Sequence, residues 1–87
     1  MGLVTNTGQE VELELYKFDT CPYCIRVMDA IAELGIEVPM RDTLRDRAAA
    51  RKLYEVGGKE QVPCLFIDGR PLYESADIVR WLREHFG

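Results

Sequence analysis

Two cysteines, Cys21 and Cys24, are separated by two residues in the hexapeptide DTCPYC, and a third cysteine is Cys64. Sulfur at this spacing suits metal ligation, a structural cross-link, or thiol–disulfide exchange. A zinc site takes four ligands, commonly from two such pairs. This chain offers one pair, one further cysteine and a single histidine, His85, so no metal site is expected. Three cysteines cannot all pair, and the opening residues MGLVTNTGQE lack the basic and apolar regions of a secretory signal. The expected compartment is therefore the cytoplasm, where thiols are kept reduced. In that setting a CxxC beside a β-α-β pattern reads as a redox motif.

The attacking species in disulfide exchange is a thiolate. Cys21 falls just before a predicted helix, with Pro22 at its first position, where a missing N–H costs nothing. Free backbone N–H groups and the helix dipole favour negative charge there, and thiols so placed titrate at roughly 3.5 to 7.5 instead of about 8.5. Cys24 comes one turn later on the same side and deeper. Cys21 is thus the expected attacking sulfur and Cys24 the resolving one. Asp19 is a negative neighbour that opposes the thiolate slightly. Tyr23, between the cysteines, is expected to be exposed and to pack against substrate.

A second signal is Gln61-Val62-Pro63 ahead of an apolar run. Val62-Pro63 suits a tight turn with a cis bond, although a trans loop proline is the commoner case. Such a turn leaves the backbone of Val62 open to an extended, peptide-like substrate.

The elements that must position these residues follow from periodicity. Val11–Phe18 alternates like a strand. Val27, Met28, Ile31, Ala32 and Leu34 recur at helical spacing after Pro22, and Gly35 can close that helix. Residues 36–40 predict a second strand, at an edge because of Pro39. Thr43–Val56 predicts a second helix, Cys64–Ile67 a buried strand, Asp68-Gly69 a hairpin turn and Arg70–Tyr73 its partner strand. Ser75 is a good N-cap for a last helix with Asp77 in its first turn. The order β-α-β-α-β-β-α gives an α/β fold with a four-stranded mixed sheet and three helices. Residues 1–10 are polar and expected to be flexible; residues 11–87 form one domain, which suits a chain of 87 residues. A net charge of −4 argues against nucleic acid and anionic membrane as partners, and no segment approaches the roughly 20 apolar residues of a membrane span.

CPYC at the first strand-to-helix junction, Val-Pro before the third strand, and an acidic residue opening the last helix together resemble the glutaredoxins. These are thioredoxin-fold enzymes that use glutathione, and the resemblance runs from Val11 to Phe86. The stretch LYESADIVRWL is similar instead to the N-terminal domains of glutathione transferases, where glutaredoxins commonly carry Gly-Gly-x-x-Asp. The resemblance implies that Pro63 is cis and faces Cys21. It implies that a γ-glutamyl carboxylate sits on Ser75 and the N–H of Ala76, with Glu74 or Asp77 on its ammonium. A lysine that many glutaredoxins place three residues before the first cysteine is Phe18 here, and Lys17, one residue earlier, points away by strand alternation. Arg51, in a basic helix segment, and Gln61 are the substitutes expected to contact glutathione. The implied activity is a glutathione-dependent thiol–disulfide oxidoreductase acting on glutathionylated or disulfide-bonded proteins. It is expected as a monomer, with glutathione as cosubstrate and no other cofactor. The alternative is a glutathione-binding or electron-carrier module, including a [2Fe–2S] carrier, with little turnover. Cys64 is expected to be a buried structural side chain.

Overall fold

The computed structural model describes residues 2–87. Alternation along the strands builds the layers. Leu13 and Leu15 of β3 (Leu13–Lys17) face one side, whereas Tyr16 faces the other. In β5 (Cys64–Ile67), Leu65 shares the side of Leu15, and Cys64 and Phe66 share that of Tyr16. β4 (Met40–Asp42) and β6 (Arg70–Tyr73) complete a sheet in the order β4-β3-β5-β6. β4 runs parallel to β3, and the other two pairings are antiparallel.

Helices α1 (Pro22–Leu34) and α3 (Ser75–Phe86) bury Val27, Ile31, Ile78 and Leu82 against Leu15 and Leu65. Helix α2 (Arg47–Gly57) covers the opposite face with Ala49 and Leu53. Four strands and three helices appear in the expected order. Among the described residues no helix is long and apolar enough to cross a membrane.

The structure differs from the sequence reading at five places, the first being the strand expected over Val11–Phe18, which spans Leu13–Lys17 while Val11 joins a separate short strand. The first ten residues were expected to be flexible. Instead β1 (Leu3–Val4) and β2 (Glu10–Val11) pair antiparallel, and the Asn6 N–H donates to the carbonyl of His85 at 2.7 Å, tying the hairpin to α3. The second strand begins at Met40, not residue 36, because Pro39 has no N–H to donate to a ladder; its carbonyl accepts from Leu15 N–H at 2.9 Å. The second helix begins at Arg47, not Thr43. Asp42 folds residues 43–45 into a turn by accepting from the N–H groups of Leu44 and Arg45, and Asp46 caps the helix through Ala48 and Ala49. Ser75 is not the cap of α3. That place belongs to Glu74, at φ 72°, and no side chain caps this helix.

Candidate active site

β3 delivers the chain directly to the first turn of α1. Cys21 is the N-cap residue, in extended conformation at φ −81° and ψ 118°, with Pro22 at the first helical position and no side-chain cap. The first intrahelical bond runs from Ile25 N–H to the Cys21 carbonyl at 3.0 Å. The N–H groups of Tyr23 and Cys24 therefore have no acceptor within the helix. The positive end of the helix dipole lies at Cys21.

The two sulfurs differ sharply. Both thiols are free. Cys24 is fully buried, and burial pushes its thiol up to about 12, assisted by a hydrogen bond with Cys21; the Phe18 backbone and the Lys17 ammonium pull the other way. Cys24 is accordingly a protonated thiol throughout the neutral range. Cys21 retains 7% exposure at the helix mouth. A buried, protonated thiol thus sits against the Cys21 sulfur, and both cysteines are buried.

Lys17, expected to point away from this pair, is held by carboxylates at this end of β3. Its ammonium is close enough to act on Cys24, and it bonds Asp19 at 2.6 Å and reaches Asp42 at 3.8 Å. That contact holds the Asp19 carboxyl below its usual range. The negative neighbour of Cys21 is thereby partly neutralised.

The antiparallel register sets Tyr16 opposite Cys64, so the residue preceding Cys64 lies at the end of the sheet where β3 runs into the cysteine loop. That residue is Pro63, and the Val62–Pro63 bond is cis. β6 then returns to the same end and hands over to α3. A cleft of about 510 Å³ results. Tyr23 and Arg26 line it from α1, Gln61, Val62 and Pro63 from the loop, and Glu74, Ser75 and Ala76 from the start of α3. Tyr23 is 60% exposed. The Gln61 side-chain N–H donates to the Glu74 carboxylate at 3.1 Å, joining the two rims. The first helical hydrogen bond of α3 runs from Ile78 N–H to the Glu74 carbonyl, so the N–H groups ahead of Ile78 have no partner within the helix. This end of the cleft suits an anion.

Cys21 and Cys24 are not in the cleft lining and adjoin it through Tyr23, and two of the residues expected to contact glutathione lie elsewhere. Arg51 borders a separate hollow on α2 with Arg47 and Tyr54. Asp77 is outside the cleft lining and pairs with Arg80 at 3.7 Å. One cleft residue was missed. Arg26 follows Tyr23 by three positions, which places both on one helix face; that spacing was the available signal. Cys64 is fully buried, with its thiol pushed up to about 11 by burial. Among the described residues, no three His, Cys, Asp or Glu side chains gather as a metal-ion cluster.

The comparisons with known proteins bear on the fold and the family. A probable glutaredoxin of Synechocystis sp. is 29% identical over 72 residues, covering 77% of this chain and 77% of that one. The holo form of glutaredoxin C1 from Populus tremula x tremuloides superposes with a TM-score of 0.65 at 20% identity, covering 83% of this chain and 73% of that one. A glutathione transferase of Bombyx mori superposes with a TM-score of 0.75 at 20% identity; the match covers 87% of this chain but 36% of that one. These likenesses bear out the expected thioredoxin-like α/β fold. The family model of the glutathione S-transferase N-terminal domain matches residues 15–87. By that match, which takes in CPYC, Val-Pro and the YES segment together, the chain belongs to the glutathione S-transferase N-terminal domain family.

Proposed function

We propose that the chain is a glutathione-dependent thiol–disulfide oxidoreductase that reduces glutathione mixed disulfides and protein disulfides in the cytoplasm, as a monomer. The observation that carries this reading is the unequal cysteine pair at a helix N-terminus, beside a cleft with an anion-receptive end. A family named for glutathione and a relative named a probable glutaredoxin support a glutathione-related redox role.

The residues divide the work as follows. Cys21, as thiolate, attacks the glutathione sulfur of a mixed disulfide in line with the S–S bond. The protein thiolate leaves and takes a proton from solvent. Glutathione remains on Cys21 as a new disulfide, with its cysteinyl backbone along Val62 and its γ-glutamyl end at Ser75 and Ala76. A second glutathione thiolate then attacks the glutathione sulfur bound to Cys21. Glutathione disulfide forms, and Cys21 is released as thiolate. For protein disulfides, Cys24 attacks Cys21 instead. Its proton passes to the departing sulfur, and two glutathiones later reduce the internal disulfide. Burial of Cys24 keeps this second route closed until the substrate is attached.

A coupled assay with glutathione, glutathione reductase and a glutathionylated peptide tests the reading. Wild-type protein turns over. Cys21→Ser is inactive, whereas Cys24→Ser keeps deglutathionylation but loses reduction of protein disulfides. Equal activity of the two variants would overturn the roles. The family match also favours a second reading, a glutathione-binding module; saturable calorimetric binding without turnover would establish it.

A further inference from the structure

Several cations near the cysteines and on the helices are engaged, although Arg47 and Arg51 of α2 are in no ion pair among the described residues. Lys17, Arg41, Arg45, Lys52, Arg80 and Arg83 each have a carboxylate within ion-pair distance. Arg26 takes part in none of the ion pairs among the described residues, even though Asp29 stands three positions on along the same helix. It is also the cation that lines the cleft. Glu74 lines the same cleft, and its carboxylate is steadied by Gln61 at 3.1 Å, not by Arg26.

A guanidinium and a carboxylate that share a cleft without neutralising each other form a template for a zwitterion. The uncapped N-terminus of α3 adds further N–H donors on the same side. An α-amino acid head group carries both charges on one carbon. In a γ-linked glutamyl peptide the α-amino and α-carboxylate groups of glutamate are both free. In the α-linked isomer that carboxylate is consumed in the peptide bond.

We propose that Arg26 binds the α-carboxylate of the γ-glutamyl end while Glu74 takes its ammonium, and that Arg26 thereby selects γ-linked over α-linked glutamyl peptides. The inference rests on the reading of the cleft as a glutathione site and deepens it. An arginine suits this task because its planar fork meets a carboxylate with two parallel N–H···O bonds. Asp77 is not the ammonium's partner, because Arg80 already holds it outside the cleft. The chemistry at Cys21 is untouched, so the effect falls on substrate binding.

The experiment compares a peptide carrying glutathione in a mixed disulfide with the same peptide carrying the α-linked isomer, α-Glu-Cys-Gly, by release of the peptide thiol, for wild type, Arg26→Ala and Arg26→Lys. Removing a charged, bidentate hydrogen bond raises the KM for the glutathionylated peptide about tenfold or more. The kcat stays unchanged. The KM for the α-linked isomer, already high in wild type, does not move, so discrimination collapses. Arg26→Lys restores part of it. Arg26 is exposed, so the melting temperature of Arg26→Ala matches wild type and shows that the variant is folded. Equal losses for the two substrates, or an unchanged KM for the glutathionylated peptide, would overturn the assignment while leaving the cleft reading intact. Failure of wild type itself to bind or turn over glutathione would overturn both.

Discussion

Glu74 adopts φ 72° and ψ 117°, a conformation that side-chain-bearing residues rarely take. Holding it there costs on the order of 1–3 kcal/mol. The return is position. The carboxylate lines the cleft at the start of α3 and meets Gln61 across it. Glycine adopts positive φ without the Cβ clash. Glu74→Gly should therefore raise the thermal melting temperature while weakening glutathione binding severalfold in calorimetry. A variant that loses both stability and affinity would show that Glu74 is held by contacts, not against strain. The cysteines express the same economy of position. One helix start sets Cys21 at the N-cap and, a turn later, shuts Cys24 fully into the core, where burial pushes its thiol up to about 12.

At the scale of elements, the cleft depends on three chain segments meeting at one end of the sheet. The loop from Gly58 to Pro63 is the least regular of them, and Tyr73 restrains it. The Tyr73 hydroxyl donates to the Lys59 carbonyl at 3.0 Å. A Cβ at Gly57 would collide with that hydroxyl. Helix propensity alone makes Gly57→Ala favourable by about 1 kcal/mol. The structure predicts the opposite sign: Gly57→Ala should lower the urea unfolding midpoint and weaken glutathione binding, since Tyr73 must move and release the loop. A higher midpoint would contradict this role.

The elements themselves were largely legible from sequence. Pro22 and Gly35 bracket α1 as expected, with Gly35 in the left-handed region at φ 68°, and Asp68-Gly69 turns β5 into β6. The gathering of Tyr23, Gln61, Val62, Pro63, Glu74, Ser75 and Ala76 into one cleft follows from recognising CPYC, Val-Pro and the acidic start of α3 as a set. What sequence did not show depends on tertiary direction. The hairpin of β1 and β2 is fixed by α3, through contacts of Asn6 with the carbonyls of Glu84 and His85. Lys17 is held by Asp19 and Asp42, which strand alternation cannot foresee. Arg51 lies on α2 and lines another hollow, with Arg47 and Tyr54, a placement that depends on how α2 packs.

Across the whole molecule, both faces of the sheet bury acids in their neutral form. Burial holds Cys24 at about 12 and Cys64 at about 11, both from an ordinary 9.0, and Tyr16 at about 12 from 10.0 with the help of Glu14. Each folded-state value lies above the unfolded one. The folded chain therefore binds more protons than the unfolded chain in the alkaline range, and stability falls as pH rises. This contribution is complete below about pH 9 and is lost progressively toward about pH 12. The urea midpoint should drop steadily above about pH 9, and less steeply in Cys64→Ala, which removes one of the three groups. A midpoint independent of alkaline pH would mean that these side chains titrate as freely in the fold as outside it.

The account turns on which sulfur meets the substrate. Incubating Cys21→Ser and Cys24→Ser separately with glutathione disulfide, then measuring intact mass, decides it most directly. Cys24→Ser should gain one glutathione, located on Cys21 by peptide mapping, and Cys21→Ser should gain none on Cys24. Glutathione attached to Cys24 in the Cys21→Ser protein, or none attached to Cys21 in the other, would contradict it.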